Sequence, residues 1–307
     1  MTGSTANYFL PEVLNKLSRL ELRAQHVVEG FLGGLHQSPY KGFSVEFADH
    51  REYVAGDDVR HIDWRLHAKT DRYFIKQYEV ETNLRTYLLL DCSGSMAYPE
   101  QDAPDRMNKW TYAATLAASL AYLLVGQQDG AGLILFDNRV REQLPVRSNR
   151  QHLRTLVSAI EATTPVDATD MGVLFDTLAD RIARRSMVVI ISDLLTDVDR
   201  VLAGLQRLRY DRHEVLLLHV LDHDELEFPF SDRTLFEGIE QADLEVLTDP
   251  QSLRQAYLDR VQDFLGRLRG MCLNLKVDYA LVSTADPIDA ALVRFLSTRM
   301  HRNRARA

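Results

Sequence analysis

Continuous apolar runs recur along the chain at Tyr87–Leu90, Gly130–Phe136, Ser186–Ser192 and Glu214–Leu221. Runs of this length without alternation belong to strands buried on both faces of a parallel sheet. Between them lie helical patterns. Lys109–Gln127 is apolar almost all round, Arg150–Ile160 places Leu153, Leu156, Val157 and Ile160 on one face, and Val201–Tyr210 has helical spacing. Alternating strand and helix predicts an α/β fold, a doubly wound, mainly parallel sheet with helices on both faces. Val140–Val146 reads as a further strand at the sheet's edge. The segment at about 222–271 interrupts the alternation with Phe228-Pro229-Phe230, a strand at Leu244–Leu247 and a long helix from Gln251. The last strand, Asp278–Val282, and the last helix, Ile288–Met300, follow it.

The first 85 residues have a different character. Leu10, Val13, Leu14, Leu17, Leu20 and Leu22 keep a helical period through Val28, and Gly30, Gly33 and Gly34 are expected to end that helix. Tyr40–Glu81 is dense in paired charges, with Gly56-Asp57-Asp58 forming a turn and Arg72–Tyr78 a strand. Residues 1–85 are therefore expected to form a charged α+β extension to a domain spanning 86–307. Its charges fit an ion-pair web in which Arg51 and Arg60 satisfy Asp57, Asp58 and Asp63. They also fit a carboxylate pair doing acid–base work, although no nucleophile or Gly-rich phosphate loop accompanies it. His61 and His67 lie six apart, which does not put them on one helix face.

Composition narrows the function classes. The 307 residues are 46% hydrophobic and 26% charged, as in ordinary globular proteins, and carry a net charge of −8. An acidic balance argues against a nucleic-acid partner, and only the basic tail Arg299–Arg306 argues for one. Cys92 and Cys272 cannot build a disulfide framework or a Cys-x-x-Cys zinc site. No secretory signal is visible, and the uncharged stretch Trp110–Val125 is too short to span a bilayer, so a cytoplasmic protein without membrane insertion is expected.

The candidate chemistry lies where the first buried strand ends, at Asp91-Cys-Ser93-Gly-Ser95. One carboxylate and two hydroxyls at alternate positions offer the hard oxygen donors that magnesium or manganese prefers. The same residues fit a Ser/Gly turn in which Asp91 only caps the helix that follows. Two further features favour the metal: Thr169-Asp170 opens a helix, and Asp193 closes the strand Ile190-Ile-Ser-Asp. Together Asp91, Ser93, Ser95, Thr169 and Asp193 resemble the metal-ion-dependent adhesion site of von Willebrand factor A domains. That resemblance implies that the serines and the threonine contact the cation and that the aspartates hold it mainly through water. Such sites usually have two glycines before the threonine, where this chain has Asp167 and Ala168.

Gly34-Leu-His-Gln-Ser-Pro39, Glu46-Phe47, Arg51-Glu-Tyr53, Gly56-Asp57-Asp58-Val-Arg60-His-Ile-Asp63-Trp64 and the Asp91 loop occur in that order. This series is similar to the bacterial family catalogued as domain of unknown function fifty-eight. The resemblance implies a von Willebrand factor A-like, Rossmann-type fold and an association with MoxR-type AAA+ ATPases. It further implies a non-catalytic adaptor or co-chaperone that binds magnesium (or manganese) and takes an acidic residue from the ATPase or a client protein. Two other readings stay open: a magnesium-dependent phosphoryl hydrolase using Asp91, and a vestigial metal site with binding through residues 40–81.

Overall fold

The computed structural model describes residues 19–37, 50–52, 72–76, 85–99, 107–166, 178, 181–183, 185–232, 234–237, 245–248, 250–293 and 295. The chain divides into two units, one formed by Leu32–Asn83 and the other by Met1–Phe31 with Leu84–Ala307.

In the larger unit, helix α1 (Arg19–Gln37) buries Leu20, Ala24 and Val28, one residue per turn on a single stripe. The helix does not end at Gly30. It continues through Gly33 and Gly34 to Gln37, contrary to the sequence expectation. A glycine costs a helix about 1 kcal/mol relative to alanine, too little by itself to stop one already formed. In the smaller unit, β1 (His50–Glu52) and β2 (Phe74–Lys76) pair antiparallel, which supports a strand within the expected Arg72–Tyr78.

The core is a six-stranded sheet. Its strands are β3 (Arg85–Asp91), β4 (Gly130–Phe136), β5 (Val140–Arg147), β6 (Met187–Ser192), β7 (Glu214–Leu221) and β10 (Asp278–Ser283). They lie in the order β10-β7-β6-β3-β4-β5, and every pairing is parallel except β4 with β5. Numbered within the sheet alone this is 3-2-1-4-5-6 read from the β5 edge, the doubly wound order with its switch point between β3 and β6. Strand β5 carries Pro145 at the edge, where a missing N–H costs no central ladder bond.

Helices cover both faces. On one face α2 (Lys109–Gly126) packs on β3, β4, β6 and β7, and α3 (Arg150–Glu161) packs on α2 and β4. Almost every α2 residue is buried, as its all-round apolar sequence requires. On the other face α4 (Val198–Tyr210) and the long α6 (Pro250–Leu275) bury Val201, Leu205, Leu208, Leu268 and Cys272 against Tyr87, Leu89, Ile134, Val188, Ile190, Val215 and Leu217. The alternate strand residues Leu88, Leu90, Val189, Ile191, Leu216 and Leu218 are also buried, so the central strands have no solvent face.

The excursion after β7 consists of the short helix α5 (His223–Glu227), the antiparallel hairpin β8 (Thr234–Glu237) and β9 (Glu245–Thr248), and then α6. Phe228, Phe230, Phe236 and Tyr257 form its aromatic cluster, with ring centroids 4.6–5.8 Å apart. A helical segment over 288–293 follows β10.

Candidate metal centre

Register places the ends of β3 and β6 together. Leu90 lies beside Ile191, so Asp91 and the pair Ser192-Asp193 leave the sheet side by side at the switch point. Asp91, Ser93, Ser192 and Asp193 are fully buried and Ser95 nearly so.

The Asp91 carboxylate closes its own loop by accepting the Ser93 N–H at 2.9 Å on Oδ1. Its Oδ2 accepts the Ser192 hydroxyl at 2.5 Å, and Ser192 Oγ in turn accepts the Leu194 N–H at 2.9 Å. The Ser93 and Ser95 hydroxyls lie 3.1 Å apart, close enough for one to donate to the other, and they sit beside the Asp91 and Asp193 carboxylates respectively, favouring the ionised form of each. The structure brings together Asp91, Ser93, Ser95 and Asp193. Thr169 and Asp170 lie outside the described residues, as do Tyr53, Gly56, Asp57, Asp58, Arg60, Asp63 and Trp64. Arg51 lies in β1.

The two carboxylates differ in charge balance. Asp193 Oδ2 accepts the Lys109 ammonium at 2.7 Å, and Oδ1 accepts the Leu195 N–H at 3.2 Å. Burial alone would raise its pKa, but the Lys109 charge and these bonds hold it below the ordinary value. Burial also disfavours the Lys109 ammonium, and the charges of Asp193 and Glu225 more than reverse that. Asp91 has no cationic partner among the described residues. Burial and the neighbouring Asp193 charge push its pKa up to about 7.

Lys109, Glu225, Ser192 and His219 complete the centre, although no local pattern marks them. Lys109 is the first residue of α2, a helix started by Asn108, whose side chain accepts the Thr111 N–H at 2.7 Å. Its ammonium also reaches Glu225 Oε1 at 2.7 Å. Glu225 is fixed by a capping box at the start of α5, where its Oε2 accepts the Asp222 N–H at 2.7 Å. His219 lies behind Asp193. Its Nε2 contacts the Asp193 carbonyl at 2.8 Å and must donate there, so Nδ1 accepts the Tyr279 hydroxyl, also at 2.8 Å. Burial pushes the His219 pKa down to about 4, in keeping with this neutral tautomer. The available signal for Lys109 was a single charge at the head of an otherwise apolar helix.

The donor set fits a hard divalent ion. Asp91 is a buried carboxylate without a counter-charge among the described residues, beside two hydroxyls whose oxygens keep lone pairs to share. Among the described residues no three His, Cys, Asp or Glu side chains gather so as to hold a metal by themselves. An ion here would depend on Ser93 and Ser95 as well as the carboxylates.

Residues 49–264 match the family described as "Protein of unknown function DUF58". The chain belongs to this DUF58 family. Uncharacterized proteins of Mycobacterium tuberculosis and Mycobacterium bovis are 31% identical to it over 224 residues, 71% of this chain and 68% of theirs. Similar solved structures include the conserved hypothetical protein BatB of Bacteroides thetaiotaomicron, with TM-score 0.48 and 16% identity over 70% of this chain and 98% of that one. An aerotolerance-related membrane protein of Bacteroides fragilis has TM-score 0.47 and 18% identity over 68% and 96%. In this DUF58 chain, no helix among the described residues is long and apolar enough to cross a membrane.

Proposed function

We propose that this DUF58 protein is a non-catalytic, divalent-cation-dependent protein-binding module. The observation that supports it best is the convergence of Asp91, Ser93, Ser95 and Asp193 at the switch point, with the Asp91 charge buried and unpaired by any cation among the described residues. Magnesium or manganese bound there would supply an electrophilic position that an acidic residue of a partner can complete. Ser93 and Ser95 would offer hydroxyl oxygens, and Asp91 and Asp193 would orient those hydroxyls and balance the charge. The family resemblance points to a MoxR-type AAA+ ATPase, or a client protein, as that partner. A hydrolase has weaker support, because both Asp91 oxygens already accept hydrogen bonds inside the fold instead of facing a substrate.

The test is affinity capture from native lysate with magnesium, with EDTA, and with Asp91→Ala. Capture of an AAA+ ATPase by the wild type with magnesium, lost in both other arms, is the expected result. Capture by a folded Asp91→Ala variant at wild-type level refutes the reading.

A further inference from the structure

Lys109 is held more tightly than a packing role requires. Its side chain is fully buried, with its ammonium 2.7 Å from Asp193 and 2.7 Å from Glu225. The Tyr98 ring centroid lies 5.9 Å from the nitrogen. Both ends of this clamp are rigid. The Lys109 N–H donates to the Tyr98 carbonyl at 3.0 Å, and the Asn108-capped first turn fixes the start of α2. Glu225 is held by its own capping box, by the Tyr257 hydroxyl on its carbonyl at 3.0 Å, and by Asp222, which accepts the Thr284 hydroxyl at 2.5 Å.

This arrangement changes the charge that an incoming cation meets. Asp193 faces an ammonium, shared with Glu225, before any metal arrives, and its other oxygen accepts the Leu195 N–H. What the ion meets is Asp91 with two neutral hydroxyls, and an Asp193 whose charge is partly offset by the ammonium it shares with Glu225. Cation sites gain affinity with the number of charged ligands, so a centre with one of its two aspartates partly offset binds more weakly and releases more readily. The ammonium also keeps Asp193 aimed at Ser95 when no ion is present, so the centre need not collapse to relieve repulsion between the aspartates.

We propose that Lys109 is a resident counter-cation that sets the affinity of the candidate metal centre, with Glu225 balancing it from the opposite side. The inference rests on the divalent-cation reading given above. Lys109 acts through Asp193 and is a positioning residue.

The test measures manganese affinity by electron paramagnetic resonance of the free ion in the wild type, Lys109→Gln, Glu225→Gln and Ser93→Ala. Lys109→Gln keeps two N–H donors for the carboxylates but removes the charge, and is expected to bind manganese about tenfold more tightly. Glu225→Gln leaves the ammonium balanced by Asp193 alone, and is expected to bind several-fold more weakly than the wild type. A purely structural clamp cannot produce opposite signs, because disturbing it weakens binding in both variants. If Lys109→Gln does not fold, Lys109→Met, which also removes the charge, takes its place beside Glu225→Gln, and unchanged or weaker binding by it, or unchanged or tighter binding by Glu225→Gln, overturns the proposal. If the wild type binds, Ser93→Ala does not, and Lys109→Gln binds equally or more weakly, the counter-cation role fails while the metal reading stands. If no variant binds manganese, both fail together.

Discussion

Replacing Asp91 with asparagine removes one buried ionisation from the metal-free protein, and the surroundings of Asp91 set the size of the effect. The Asp91 pKa rises from 3.8 to about 7 because the carboxylate is buried and faces the Asp193 charge. Between those values the folded protein holds a proton that the unfolded chain has released. This contribution to stability is therefore complete below pH 3.8, declines as pH rises, and is gone above about 7. At roughly 1.4 kcal/mol per pH unit, the upper limit of the loss is on the order of 4 kcal/mol. Asparagine cannot ionise and avoids that loss. Its amide offers one acceptor oxygen and an N–H group, much like the neutral carboxyl that the wild type holds below its raised pKa. The stability curves are expected to converge at low pH and to separate as pH rises. Near pH 4 the two proteins should agree within about 1 kcal/mol, and at pH 8 in EDTA Asp91→Asn should be more stable by up to about 4 kcal/mol. Urea denaturation from pH 4 to pH 8 measures this, with equal m-values confirming that both proteins expose the same surface on unfolding. His219, with its lowered pKa, acts in the opposite sense, losing stability as pH falls below its ordinary 6.5. It is common to both proteins, so their difference isolates Asp91. Parallel profiles across the whole range would refute the account of a buried, uncompensated charge.

Two further outcomes test the framework around the centre. A Cβ on Gly132 would come within 2.9 Å of Val146 Cγ2 and 3.1 Å of the Leu144 carbonyl oxygen, where β5 shifts register against β4. Gly132→Ala is expected to cost about 1–3 kcal/mol by crowding, seen as a lower Tm, and an unchanged Tm would contradict this close approach. His219→Phe removes the partner of both the Asp193 carbonyl and the Tyr279 hydroxyl. A loss of about 2 kcal/mol or more is expected at pH 7 by urea denaturation, and a change under about 0.5 kcal/mol would show that those bonds carry no weight.

Local pattern revealed the elements whose causes are local. Gly130–Phe136 and Glu214–Leu221 are strands with those same bounds, because a parallel strand buried on both faces is predominantly apolar and stands out from the polar turns that flank it. Asp91, Ser93 and Ser95 were legible because one loop carries all three. Glycine misled the reading of α1, since a propensity near 1 kcal/mol weighed more heavily in the sequence than it does in the folded helix. Lys109 and Glu225 were not legible for a different reason. Their meaning depends on Asp193, which is 84 residues from Lys109, and Glu225 lies 116 residues from that lysine. Each looks locally like an ordinary charge at a helix start. Only the order of the strands brings these three residues to one point.

That order also fixes when, as well as where, the centre can exist. Asp91 meets Ser192 across 101 residues of chain, and the Lys109–Glu225 contact spans more still. A nascent chain that has completed β3, α2 and β4 has Asp91 and both loop serines but no β6 beside them. Contacts of such sequence separation close late, after the loop entropy of both crossovers has been overcome. Until then the Lys109 ammonium and the Asp91 carboxylate have no buried partners from β6 or α5, and water has to solvate them. The assembled centre is thus a mark of completed folding: an unfinished copy has Asp91 and the loop serines without the Ser192 and Asp193 that face them in the finished sheet.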